Sequence, residues 1–60
     1  MTAKEVIRRL KNEGWYAKDQ KGSHRQFIHP TKKGKVTVPV HSGDIPPGTL
    51  NAIFKQAGLK

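Results

Sequence analysis

The sequence has no cysteine, only four acidic residues, one Trp, one Tyr and two Phe, and no long apolar run in its 60 positions. Without cysteine, neither disulfides nor thiolate metal sites can staple the fold, the usual resort of very small domains; the absence fits a reducing cytoplasm. With so few large side chains, the core must come from a handful of well-placed residues, because a chain this short buries only about 60% of the surface its unfolded form exposes. No stretch approaches the roughly 20 apolar residues of a membrane span, and no apolar segment follows the first charges as in a signal peptide. A cytoplasmic protein of one domain, residues 1–60, is the expectation. The shortage of acid leaves twelve Lys and Arg against four Asp and Glu, a formal net charge of +8. A field of that size attracts polyanions: nucleic acid first, anionic membrane second, an acidic protein partner third. The plain alternative is a solvated cationic surface.

The opening residues spell a helix N-terminus. Thr2 is a good N-cap, Glu5 three residues later completes a capping box, and Met1 and Val6 occupy the staple positions. Ala3, Val6, Ile7 and Leu10 follow the spacing of one buried stripe, with Arg8, Arg9, Lys11 and Asn12 outside it. Gly14 supplies the stop, so a helix is predicted over 2–13. Three extended runs follow. Residues 15–20 end at the Lys21-Gly22 turn; residues 23–29 are closed by Pro30, which biases His29 toward an extended backbone. After the polar turn Thr31-Lys32-Lys33-Gly34, residues 35–40 alternate with period two. Pro39 suits a sheet edge or a strand end. His41-Ser42-Gly43-Asp44 reads as a loop, Pro46-Pro47 opens a second helix, and Leu50, Ile53, Phe54 and Ala57 form its stripe before Gly58 ends it.

Short connections make the strands an antiparallel meander. The fold class is therefore α+β: a two-layer helix–three-stranded antiparallel sheet–helix domain with both helices on one sheet face and the other face open. Alternation turns Phe27, Val36, Val38 and Val40 toward the helices, with Trp15 and Ala17 as companions. Tyr16, Lys18, Gln20, His24, Gln26, Ile28, Lys35 and Thr37 then face outward, giving a basic open face that carries a histidine.

The segment Lys21-Gly22-Ser23-His24-Arg25-Gln26-Phe27, followed by His29-Pro30, resembles the signature of HicA toxins. Gly14-Trp15 before it, Val36-Thr37-Val38-Pro39 after it, Pro47-Gly48-Thr49-Leu50 and the closing Lys55-Gln56-Ala57-Gly58 agree in order and spacing over essentially the whole chain. The resemblance implies a double-stranded-RNA-binding-domain-like fold. It also implies a translation-inhibiting activity, metal-independent endonucleolytic cleavage of mRNA, with inhibition by a HicB antitoxin and His24 as the catalytic histidine. Many members carry a second histidine directly after it, where this sequence has Arg25, so the acid role is left without that neighbour.

RNA carries its own nucleophile, the 2′-OH, so cleavage needs a base for that hydroxyl, an acid for the leaving 5′-oxygen and cations for the phosphorane, and no cofactor. Histidine suits either proton transfer. Gly22 lets an RNA backbone approach closely; Lys21, Arg25, Lys18, Lys32 and Lys33 are the candidate phosphate contacts, and Ser23 either bonds phosphate or starts the strand. Strict alternation points Arg25 away from His24. The acid is left open between His24 acting twice, a lysine and water. His29 reads as a strand-end packing residue, His41 as a solvated loop residue, and Trp15 and Phe27 as core rather than base-stacking groups. The three histidines lack metal-site spacing, and no metal is expected. Two other readings share this composition: a non-catalytic small RNA-binding module that grips backbone by shape, and an interaction protein docking on an acidic partner. A free monomer is the default expectation.

Overall fold

The computed structural model describes residues 1–40 and 43–59; His41, and with it the reading of that histidine as a loop residue, lies outside them. The element order is α1 (Ala3–Asn12), β1 (Tyr16–Lys21), β2 (His24–Ile28), β3 (Val36–Pro39) and α2 (Pro47–Gln56). The strands form one antiparallel sheet in the order β1-β2-β3. This is the two-layer helix–sheet–helix arrangement that the sequence pattern predicts, and it agrees with the double-stranded-RNA-binding-domain-like fold that the family resemblance implies.

Helix α1 begins as its capping residues dictate. The Glu5 amide donates to the Thr2 hydroxyl at 3.3 Å, and the Thr2 amide donates to the Glu5 carboxylate at 3.0 Å. The Thr2 hydroxyl also donates to that carboxylate at 3.1 Å, and the two bonds donated by Thr2, the amide's first, hold the Glu5 carboxyl below its ordinary value. The helix buries Ala3, Val6 and Leu10, with Ile7 half-buried beside them. Met1, at the staple position, is 39% exposed and outside the core. The other core side chains are Trp15, Phe27, Val36, Val38, Ile45, Ile53 and Ala57. Phe27 lies directly across from Val36, and both strands send the same face into this cluster. The helices share that face and leave the opposite one uncovered. Arg9 of α1 rests over the Phe54 ring of α2, 5.5 Å from its centroid, closing the helical layer.

Strand β1 departs from simple alternation. Ala17 pairs with Phe27, but the next pair is Asp19 with Gln26, so Lys18 is an extra residue in a β-bulge. One inserted residue reverses the facing of everything after it. Gln20, expected outward, therefore lies across from Arg25 on the helix-side face, while Asp19 and Lys21 join the open face. Two further expectations are corrected. Ala17 is on the helix side but exposed, because β1 is an edge strand beyond the reach of the helices; Val40 is half-buried and outside the core, since β3 ends at Pro39.

The far end of β2 is tied down by His29. Its Nδ1 accepts from the backbone amides of Thr31 (3.1 Å) and Lys32 (3.2 Å). That network assigns the proton to Nε2, which donates to the Glu13 carbonyl at 2.9 Å. The ring also meets Trp15 edge-on at 5.2 Å. Gly14 sits beneath it at φ 96°, and a β-carbon there would lie 2.8 Å from His29 Nε2. Glycine is required at that point twice over, for its backbone and for the space.

Candidate functional site

The β1–β2 connection is a two-residue hairpin, Gly22-Ser23, closed by the pair Lys21 and His24. Gly22 takes φ 55°, and Ser23 has no positive φ; those are the φ signs of a type II′ turn, which matches the twist of a hairpin and favours glycine at its first position. Two bonds steady it. Gln20 Nε2 donates to the Gly22 carbonyl at 3.0 Å, and the Val40 amide donates to the Ser23 carbonyl from the β3 side. His24, the first residue of the central strand β2, is thus held at the end of the sheet by backbone on both flanks, while its own side chain is exposed.

On the open face His24 has Lys21 opposite on β1 and Pro39 opposite on β3. The next row along is Asp19, Gln26 and Thr37, and the one after it pairs Tyr16 with Ile28. Directly opposed side chains stand about 5 Å apart at Cβ, so the Lys21 ammonium is within reach of any anion held at His24. Nothing fills the space above Gly22 within 4 Å of where a β-carbon would be.

The remaining candidates are dispersed. Arg25 faces the helix side, where its Nε donates to Gln20 Oε1 at 2.9 Å. Lys32 is drawn off altogether: its Nζ donates to the Ala57 carbonyl at 3.2 Å, placing a cation on the C-terminal end of α2, where the helix dipole favours it. Lys33 is exposed in the turn, and Lys18 is exposed in the bulge. The open face is consequently less basic than alternation suggests: its paired rows carry Lys21 as cation and Asp19 as counter-charge. Much of the positive charge sits on α1 instead, where Lys4, Arg8 and Lys11 line a shallow groove over Ile7 and Asn12. The stripe spacing sets Arg8 and Lys11 off the buried face of α1, but the groove they line with Lys4 emerges only in the folded helix.

Among the described residues no group of three or more His, Asp or Glu side chains is arranged to hold a metal ion, and no helix is long and apolar enough to cross a membrane. His29 is not part of the site at His24: five residues from it along an extended chain is about 17 Å, and both its ring nitrogens are occupied.

Compared with known families, residues 3–59 match the model described as "HicA toxin of bacterial toxin-antitoxin". No curated protein matches the chain.

Proposed function

Since the chain belongs to the HicA toxin family of bacterial toxin–antitoxin systems, we propose that it is a metal-independent endoribonuclease that cleaves mRNA and thereby inhibits translation, with His24 as its proton-transfer residue. The reading extends to a single domain over residues 1–60 acting in the cytoplasm, monomeric when free and neutralised by a HicB antitoxin. The observation that carries it is the placement of His24: an exposed imidazole at the end of the central strand of an uncovered sheet face, on a hairpin anchored from both sides, with a lysine directly across.

In the reaction the 2′-oxygen attacks the adjacent phosphorus as His24 takes the hydroxyl proton. The 5′-oxygen leaves with a proton, and a 2′,3′-cyclic phosphate remains. Lys21 offsets the charge that develops on the non-bridging oxygens. It is also the group across from His24 that can return a proton to the leaving oxygen; the alternative is His24 itself, in its protonated form. Arg25 takes no direct part, because it is turned to the helix side and bonded to Gln20. The antitoxin acts by covering or distorting the face around His24.

The test is cleavage of a structured mRNA in EDTA by the wild type and by His24→Ala, with a mobility-shift assay alongside. Cutting by the wild type and binding without cutting by the variant is the expected result. Equal cutting by both would remove His24 from the mechanism. Binding without cutting by both would favour the RNA-binding module, a reading to which the cations of α1 lend weight.

A further inference from the structure

Tyr16 is one of two large apolar residues left exposed among those described, 49% accessible, and it stands on the sheet face that no helix covers. Ile28, half-buried, lies directly across from it, so ring and aliphatic side chain form one apolar platform. The platform lies four residues along β2 from His24, about 13 Å in an extended strand. Between them runs the polar row of Asp19, Gln26 and Thr37, which offers hydrogen-bond donors and acceptors rather than a cluster of cations. A duplex would present phosphate rims to this surface, and the paired rows hold one lysine and one carboxylate to receive them. A single strand presents bases, whose flat faces stack on aromatic rings and whose edges bond polar side chains. The chemistry points the same way. Attack by the 2′-oxygen requires it to line up opposite the leaving 5′-oxygen, an alignment that the regular A-form backbone denies and a flexible strand can adopt.

We propose that the open sheet face binds single-stranded RNA, with Tyr16 stacking on a base a few nucleotides from the bond positioned at His24. This deepens the nuclease reading and rests on it for the position of the cut. Tyr16 then contributes affinity and register, and the row centred on Gln26 reads the intervening bases.

The test uses the full chain carrying His24→Ala, so that binding is measured without turnover, and a short single-stranded oligoribonucleotide with 2-aminopurine at successive positions. Stacking on Tyr16 quenches the probe at one position. Tyr16→Ala in this background should abolish that quench and weaken binding about tenfold, while Tyr16→Phe should retain both. Annealing the oligonucleotide to its complement should remove the Tyr16-dependent part of the affinity. Unchanged quench and affinity in Tyr16→Ala would overturn the proposal, as would a duplex bound more tightly than the single strand. The nuclease reading fails separately: if the chain with His24 intact leaves the same oligonucleotide uncut while the Tyr16-dependent quench persists, the stacking site stands and the catalytic role falls.

Discussion

The two ends of strand β2 carry a histidine each, and the two are held in opposite ways. His29, just past the strand, has both ring nitrogens engaged, an aromatic neighbour and a glycine fitted beneath it. His24, at the strand's start, is exposed, and what is anchored there is the backbone that carries it. An imidazole that accepts two amides and donates to a carbonyl is a structural pin. His24 stands at the end of the central strand with its ring exposed and outside the hydrogen bonds that hold its neighbours, open to an approaching phosphate. The surroundings, rather than the residue type, separate the structural pin from the residue proposed for proton transfer.

The comparison breaks most sharply in activity. His24→Ala should lose about 10²–10⁴-fold in RNA cleavage, the usual contribution of one positioned proton-transfer group, with a melting temperature within a degree or two of wild type. His29→Ala should do the reverse. Removing its bonds to Glu13, Thr31 and Lys32 and its contact with Trp15 leaves partners unsatisfied at a cost of about 2 kcal/mol. For a domain this small that is roughly 10 °C in Tm, read by circular dichroism. Loss of cleavage in correctly folded His29→Ala at low temperature would erase the distinction.

A double-mutant cycle sharpens the structural half. Gly14→Ala should cost about 2–3 kcal/mol, part from the backbone at φ 96° and part from the approach to His29 Nε2. In a His29→Ala background only the backbone part remains, so the two changes should couple by about 1 kcal/mol. Strict additivity would mean that the ring moves aside freely and pins nothing. The smallest effect separates two neighbouring lysines. Lys33→Ala should lower the salt dependence of RNA binding by about 0.7 in log–log slope, one phosphate contact on a single strand. Lys32→Ala should leave that slope alone and lower Tm by a few degrees, because its ammonium serves the end of α2.

Much of this architecture is local and therefore legible in one dimension. The Thr2–Glu5 capping box, the stripes of both helices and the glycine stops depend on residues three or four apart, and the structure places them as their spacing predicts. The hairpin turn that presents His24 follows from Gly22 in the same way. What escaped depends on pairing across the chain. A bulge at Lys18 is a mismatch between two strands, invisible in either alone, and it moves Gln20 to one face and Asp19 to the other. Lys32 reads as one more surface cation until the fold brings Ala57 against it, 25 residues on. His29 reads as a packing residue, but its three-way hydrogen bonding needs the end of α1 and the following turn in place. His24 is marked by resemblance to a family; as a residue type it does not differ from His29 or His41.

The bulge has one more consequence, for how copies of this chain behave in company. A three-stranded sheet has only one interior strand, so β1 and β3 both present a bare edge onto which a strand of another copy could add. Edge β3 is four residues long and ends in proline, which has no amide hydrogen to offer. Edge β1 is six residues long, but the irregularity at Lys18 interrupts its ladder and sets a lysine at the break. Neither edge gives a straight template for growth, so the fold carries its own guard against fibre formation and can leave its flat, uncovered face open without becoming sticky at the sides.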